Sequence, residues 1–153
     1  MRSAVRLAAI AAAMLAVAAP AAWAAPPAKI RDPDGSAAGL INKYLTLVQN
    51  KDQAGLDKFL APGFQIQRAD GTHANKTEYL ANLPTVSQQQ VQDIVATLDG
   101  NDLVARYEVS SLQFVDGVQY GTAFAPRLSV FEYNGKAGWQ LVAHANFNAP
   151  ARS

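Results

Sequence analysis

Two arginines fall on strand faces that otherwise carry apolar or small side chains. Phe64, Ile66 and Arg68 alternate with glutamines, so a period of two places Arg68 on the apolar face of a predicted strand. Arg127 shares a face with Ser129 and Phe131 in a later strand, but the apolarity of its two faces does not decide which one is inside. A guanidinium stays protonated at any working pH, so it binds anions and cannot take a proton from carbon. The alternative for Arg68 is a side chain that extends from the strand end into water.

Four further polar residues could share a site with these arginines. Tyr44 lies on the apolar stripe of a predicted helix, where a core tyrosine is the alternative. Tyr107 lies in a predicted strand and shares one face of it with Val109, Ser111 and Gln113. His144 and Asn146 share one face of the last strand, and the more apolar opposite face carries Trp139, Leu141, Ala143, Ala145 and Phe147. On that strand alone, His144 could equally be a half-exposed residue.

Other kinds of site have little support in the sequence. The only histidines are His73 and His144, and there is no cysteine, so we expect no metal site. Ser110 and Ser111 lie in mid-strand without a nucleophile motif. There is also no glycine-rich phosphate loop and no dinucleotide fingerprint. We therefore expect neither a metal nor a cofactor.

The N-terminus predicts export. Arg2 and Arg6 precede an apolar run from Leu7 to Ala19, and Ala22-Trp23-Ala24 has the small-x-small pattern of a cleavage site. The sequence predicts a signal peptide over residues 1–24. About 13 apolar residues are fewer than the roughly 20 that span a bilayer. We expect a periplasmic or secreted protein with no membrane attachment after cleavage.

The rest of the chain predicts one domain. We divide it into an extended arm (25–35), a folded domain (36–148) and a tail (149–153). Loss of Arg2 and Arg6 reduces the 13 basic residues to 11, against 12 acidic ones, for a net charge near −1. That balance does not favour nucleic acid or anionic membranes as partners. Without cysteines, the domain must be stabilised by its core.

Three helices are predicted in the first half of the domain. Ser36 is the expected cap of the first, and Asp52 caps a short second helix that Pro62-Gly63 ends. Asn75 begins a capping box with Glu78 at the start of the third helix.

The second half predicts long antiparallel strands. They cover Gln90–Leu98, Leu103–Val115, Val118–Tyr133 and Trp139–Phe147, and turn sequences such as Asp116-Gly117 separate them. Pro126 predicts a bulge or an edge in the third of these strands. Helices followed by strands indicate an α+β fold, with one curved sheet wrapped around the first helix.

Several strings resemble one superfamily. The segment from Gly39 to Val48, the segment from Asp52 to Leu60, Pro62-Gly63-Phe64 and Lys76 to Leu80 are similar to the nuclear transport factor 2-like fold, as is the closing stretch from Tyr133 to His144. The similarity covers roughly residues 36–148. It is strongest to small exported members of unknown function and to the calcium/calmodulin kinase association domain.

The resemblance implies a cone-shaped, bent antiparallel sheet around a long N-terminal helix, with a pocket between them. It also implies a homodimer through the convex side of the sheet. Trp139, Leu141, Ala143, Ala145 and Phe147 would then face the partner, and Val142, His144 and Asn146 would line the pocket.

Ketosteroid isomerases share the resembled fold, and their catalytic pattern is only partly present. Their helix tyrosine, an oxyanion donor, matches Tyr44, but their catalytic aspartate falls on Arg68. Their second donor, a protonated aspartate, falls near Arg127. Since arginine cannot act as the base, the resemblance argues against isomerase activity. The same objection applies to the polyketide cyclases of this fold.

The substitutions favour an anion-binding role. Tyr44, Arg68, Tyr107, Arg127, His144 and Asn146 would form a binding site for a carboxylate or other oxyanion attached to an apolar body. Glu108, Asp93 or a partner's carboxylate could instead neutralise the arginines.

Two other functions remain open. An isomerase, cyclase or lyase could use His144 as general base and Tyr44 as electrophilic donor. Alternatively, the apolar sheet face could bind another protein. We expect a non-catalytic, homodimeric binding module.

Overall fold

The computed structural model describes residues 30–151. The predicted signal peptide and residues 25–29 of the predicted arm lie outside this range. Among the described residues, no helix is both long and apolar enough to cross a membrane.

The first helix, α1, covers Pro33–Gln49 and begins earlier than predicted. Asp32 is the N-cap, and its Oδ1 accepts a hydrogen bond from the Gly35 N–H at 2.9 Å. Proline suits the first helical turn because its missing N–H has no helical partner there. The prediction of a Ser36 cap was therefore wrong, and the end of the predicted arm is helical. An aspartate followed by proline outweighed the serine.

Two short helices follow, α2 at Gln53–Phe59 and α3 at Lys76–Ala81. The predicted Asp52 cap is confirmed, since its Oδ1 accepts from the Gly55 N–H at 2.9 Å. The predicted capping box is also confirmed, because Asn75 and Glu78 each accept the other's backbone N–H. This box fixes the start of α3 and turns Tyr79, one residue further on, into the core.

The strands form one mixed, curved sheet. In chain order they are β1 (Leu60–Arg68), β2 (His73–Asn75), β3 (Thr85–Asp99), β4 (Asp102–Val115), β5 (Val118–Gln119), β6 (Ala125–Asn134) and β7 (Gly138–Asn146). The order in the sheet is β2-β1-β7-β6-β4-β3, and β5 pairs with β4. The sheet was expected to be antiparallel, but β1 runs parallel to β7. This pairing joins the two ends of the domain, so no local turn signals it.

Strand β1 begins at Leu60, before the Pro62-Gly63 pair that was predicted to end the second helix. Pro62 and Gly63 lie inside the strand, at an irregularity where pairing with β7 shifts register between Leu60 and Gln65. Beyond it, Phe64, Ile66 and Arg68 are buried while the glutamines are exposed. The predicted alternation is thus confirmed for the stretch that carries Arg68.

The predicted third long strand is two strands. Asp116 and Gly117 form the predicted turn with φ of 50° and 80°, and β5 ends two residues later. The chain then re-enters the sheet as β6, with Pro126 as its second residue, so the proline marks a strand start.

Because β7 contains a bulge, the prediction that its alternate residues all lie on one face was wrong. Pairing with β6 shifts register between Val130 and Phe131, where Leu141 pairs with Phe131 and Ala143 with Val130. As a result Leu141 is completely buried in the core, whereas Ala143 lies on the outer face. Trp139 packs against the core as well. The five residues predicted to form one dimer face are therefore divided, and Ala143, Ala145 and Phe147 remain outside.

The C-terminal segment is paired with the sheet. The Gly121 N–H donates to the Ala149 carbonyl at 3.0 Å, and the Ala151 N–H donates to the Gln119 carbonyl at 2.9 Å. Tyr120 and Pro150 form an isolated antiparallel bridge. Residues 149–151 of the predicted tail thus pair with the sheet.

Helix α1 packs on the inner face of the sheet, mainly against β3. Its buried stripe consists of Ala37, Ile41, Tyr44 and Val48. These residues join one core with side chains from β1, β4, β6 and β7. The stripe carries the Tyr44 hydroxyl into the interior, toward the inward-facing side chains of the sheet.

Candidate functional site

A small cavity lies between α1, α3 and the inner face of the sheet. Its polar lining includes Tyr44, Arg68, Arg127, His144 and Asn146. Its volume is about 30 Å³, which is room for one or two water molecules. Five of the six predicted site residues therefore border one cavity. Tyr107 does not border it, and its hydroxyl contacts Ser129 behind the lining.

Arg68 is buried at the end of β1. Its NH1 donates a long hydrogen bond, 3.4 Å, to the Thr72 hydroxyl, and its Nε–H has no partner. A buried N–H without a partner is costly, since nothing replaces the water it lost. Arg68 and Tyr79 also border an open surface cleft of about 390 Å³ beside Asn82 and Asp116. These two side chains therefore lie between the cavity and solvent.

Arg127 is buried on β6. Its NH1 donates to the carbonyls of Ala125 and Pro126 at 3.2 and 3.0 Å. Burial lowers the pKa of Arg127 to about 10, and only the Tyr107 and Tyr44 hydroxyls act in the opposite direction. The side chain is still charged at neutral pH, although the folded protein disfavours that charge.

Neither arginine is paired with a carboxylate among the described residues, whose one ion pair joins Lys76 to Asp57. Glu108, a predicted neutralising group, instead accepts a hydrogen bond from Gln92 at 2.9 Å. Asp70 is not within ion-pair distance of Arg68, but its carboxylate accepts from the Thr72 hydroxyl at 2.7 Å, and these hydrogen bonds, with a smaller contribution from the Arg68 charge, lower the pKa of Asp70. The cavity thus has two guanidinium groups on its wall without a direct counter-charge.

Two tyrosines meet at the helical side of the cavity. The hydroxyls of Tyr44 and Tyr79 are 2.8 Å apart. Burial raises the pKa of Tyr79 to about 12 and raises the pKa of Tyr44 well above its usual value. Both are therefore neutral, and because one hydroxyl donates to the other, one O–H remains for a further acceptor.

His144 is held by a hydrogen-bonded chain. Tyr107 and Ser129 hydroxyls are 2.9 Å apart, and Ser129 Oγ lies 3.0 Å from His144 Nδ1. The imidazole packs on Tyr44 with ring centroids 5.3 Å apart. Burial, together with the charges of Arg127 and Arg68, lowers the pKa of His144 to about 3. The ring is neutral at physiological pH and is a weak base.

Asn146 follows His144 on the same face of β7. Its Oδ1 accepts the Asn148 N–H at 2.8 Å, while the Asn148 side-chain amide donates to the Gly121 carbonyl at 2.6 Å. Since its oxygen is engaged, Asn146 offers mainly its amide N–H groups to the cavity. The arginines, one tyrosine O–H and this amide make the lining rich in donors.

Two residues of this network were missed by the sequence analysis. Tyr79 borders the cavity because the capping box of α3 fixes its direction. Ser129 connects Tyr107 to His144 because it pairs directly with His144 across β6 and β7. The capping box could have indicated that Tyr79 points inward. The register of β6 against β7, which pairs Ser129 with His144, is not visible in the sequence. No cluster of three or more metal-ligating side chains occurs between residues 30 and 151.

Comparison with solved structures identifies similar folds. An NTF2-like protein from Cytophaga hutchinsonii is 15% identical, with a TM-score of 0.67, over 75% of this chain and 97% of that one. An NTF2-like protein of unknown function in nutrient uptake from Rhodospirillum rubrum is 22% identical, with a TM-score of 0.63, over 73% and 97%. The S. rosetta CaMKII hub is 14% identical, with a TM-score of 0.58, over 80% and 100%.

The other two comparisons gave no match. No protein-family model matches the chain, and no curated protein matches it either. At these identities the structural similarity shows a shared fold, and the site has to be interpreted from its own residues.

Proposed function

We propose that this chain, which has the nuclear transport factor 2-like fold, is a non-catalytic module that binds a small organic anion in a cone between α1 and the sheet. The observation that carries the proposal is that Arg68 and Arg127 border one cavity and that no carboxylate of residues 30–151 lies within ion-pair distance of either. A bound carboxylate would supply the missing counter-charge and an acceptor for the Arg68 N–H groups.

The cavity limits the size of the anion. Ligand pockets for drug-sized molecules usually measure about 300–1,000 Å³, and this cavity is about 30 Å³. The apolar body that the sequence analysis expected on the ligand has no room in this conformation. One- and two-carbon carboxylates are therefore the preferred candidates, with entry past Arg68 and Tyr79 from the surface cleft.

The enzyme alternative is weakened by the state of His144. A general base works best when its pKa lies near the working pH, whereas burial lowers the pKa of this imidazole to about 3. No other described residue supplies a base on the cavity wall, because Arg68 and Arg127 stand where the ketosteroid isomerase pattern has aspartates.

Calorimetric titration with formate and with formamide tests the binding proposal. The two molecules are similar in size but differ in charge, so formate is expected to bind and formamide is not. Arg68→Met should weaken formate binding at least tenfold, because a hydrogen bond to a charged group is lost. Gln65→Met, on the exposed side of the same strand, serves as the control. Equal binding of formate and formamide, or none of either, would refute the proposal.

The outer sheet face supports a second proposal, that two copies of the chain pair through it. A groove of about 640 Å³ runs along β2, β1, β7 and β6, with Leu128, Val130, Ala143 and Ala145 as its apolar lining. Leu128 is 40% exposed and the nearby Phe147 is 55% exposed. Glu78 is the one acidic residue of the groove lining, which contains no lysine or arginine, so a second copy could cover most of the groove without burying a charge.

A charge in this groove should therefore separate the copies. Leu128→Glu is expected to convert a dimer to a monomer in sedimentation velocity, because two carboxylates would be buried in the interface. Val118→Glu, at an equally exposed position on β5, should leave the dimer intact. A monomeric unmodified protein would instead favour a different protein as the occupant of this face.

Export completes the proposal. The predicted signal peptide would place the module in the periplasm or outside the cell, where it would meet small solutes directly.

A further inference from the structure

We infer that His144 is held as the neutral tautomer with its proton on Nε2, and that this N–H donates to the anion bound between the two arginines. The inference rests on the proposed function and names a third donor of the same site. The observation behind it is the hydrogen-bonded chain from Tyr107 through Ser129 to His144 Nδ1.

The hydrogen-bonded chain has one direction that gives both hydroxyl protons an acceptor. If Tyr107 donates to Ser129 and Ser129 donates to His144 Nδ1, both hydroxyl protons are used. If Nδ1 carries the proton instead, it must donate to Ser129 Oγ. One hydroxyl proton, on Tyr107 or on Ser129, is then left without an acceptor among the described residues. Tyr107 and Ser129 are buried and do not border the cavity, so an unpaired hydroxyl proton there would be costly. A proton on Nε2 instead faces the cavity, which has room for a water molecule as acceptor.

The Nε2 edge of the His144 ring faces the cavity. His144 borders it, and its Nδ1 is turned aside to the neighbouring strand, so Nε2 lies at the free tip of the side chain. No described residue makes a hydrogen bond to Nε2, and the N–H groups of Arg68 and Arg127 do not reach it either. A donor at this tip therefore has no protein acceptor, but a carboxylate between the arginines would provide one.

The ring is also fixed in orientation. Ser129 holds it from β6, and Tyr44 packs against it from α1. A preoriented donor loses little entropy on binding, so it adds affinity at small cost. The chain from Tyr107 thus explains why that residue matters to the site although it does not border the cavity.

Nuclear magnetic resonance can determine the tautomer in the ligand-free protein. The chain has two histidines, so His73→Gln in untagged, nitrogen-15-labelled protein leaves the signals of His144 alone. Long-range proton–nitrogen correlations should show a protonated Nε2 and an unprotonated Nδ1. In Ser129→Ala this preference should weaken, because Nδ1 loses its donor. A protonated Nδ1 in the parent protein would overturn the inference.

Substitutions of His144 test contact with the anion. The amide nitrogen of glutamine approximates the Nε2 position, and that of asparagine approximates Nδ1. His144→Gln should therefore keep formate affinity within about threefold, while His144→Asn and His144→Phe should weaken it about tenfold or more. A purely structural histidine would show no such order. If all three variants bind formate as well as the parent does, His144 does not contact the anion.

The pH profile separates a neutral donor from an imidazolium. The charged and titratable groups around the ring are Tyr44 on α1, Tyr79 on α3, Arg68 on β1, Tyr107 on β4 and Arg127 on β6. None of them changes charge between pH 5 and pH 8 in this account, so formate affinity should stay constant. An affinity that rises as the pH falls through about 6.5 would show a protonating histidine and contradict the inference.

The two proposals can fail separately. Absence of formate binding to the unmodified protein refutes the proposed function together with the donor role of His144. Formate binding with a protonated Nδ1, or with an unaffected His144→Phe variant, leaves the function standing and refutes only this inference.

Discussion

Replacement of Arg127 by methionine is expected to stabilise the ligand-free protein while it abolishes anion binding. Lowering the pKa of a buried arginine from 12.5 to about 10 corresponds to about 3 kcal/mol of unfavourable charge burial. Methionine removes that cost and fills a similar volume, although two hydrogen bonds to carbonyls worth about 1 kcal/mol each are lost. The net expected gain in the free energy of unfolding is about 1 kcal/mol.

Urea denaturation and formate calorimetry of the same variant measure the two effects. Formate binding should weaken at least tenfold, since a charged donor is gone. Arg106→Met is the matched control, because Arg106 is exposed on the adjacent strand and both quantities should stay nearly constant. A loss of stability in Arg127→Met would mean that the guanidinium acts mainly as a structural clamp on the start of β6.

Truncation of Leu141 is expected to be the most destabilising change considered. Its side chain is completely buried beside Phe131, and Leu→Ala substitutions at such sites cost about 2–5 kcal/mol. Thermal unfolding of Leu141→Ala should therefore occur about 10 °C lower. The result checks the β7 bulge, because a strand without it would place Leu141 on the same outer face as Ala143.

Phe147→Ala gives the comparison for this effect. Phe147 is 55% exposed on the outer side of the sheet, so its loss should change the free energy of unfolding of the isolated chain by less than about 0.5 kcal/mol. Similar losses in both variants would contradict the division of the strand faces described above.

Local features of the fold were predictable from the sequence because their causes are local. The Asn75 and Glu78 capping box depends on residues three apart, and the Asp116-Gly117 turn depends on two residues that accept a positive φ. Alternation along β1 correctly buried Arg68. The first helix start was mispredicted because Asp32 and Ser36 are both acceptable caps by sequence.

The non-local features were not predictable. The parallel pairing of β1 with β7 and the register shift at Val142 depend on contacts between distant segments. The shift decides which side of β7 is inside, so it also decides that His144 and Asn146 border the cavity while Leu141 joins the core. Tyr107 was placed on the cavity wall from phase alone, but the structure gives it a supporting position through Ser129.

The proposed function requires that the guanidinium groups of Arg68 and Arg127 face one cavity and attract an anion there. Anomalous diffraction from crystals grown with bromide would locate such an anion directly. Bromide is a single-atom anion that suits a cavity of about 30 Å³. We expect an anomalous peak within contact distance of the guanidinium groups of both Arg68 and Arg127, and loss of that peak when formate is added. A map with no peak there, or with either guanidinium paired to a carboxylate of its own chain, would contradict it.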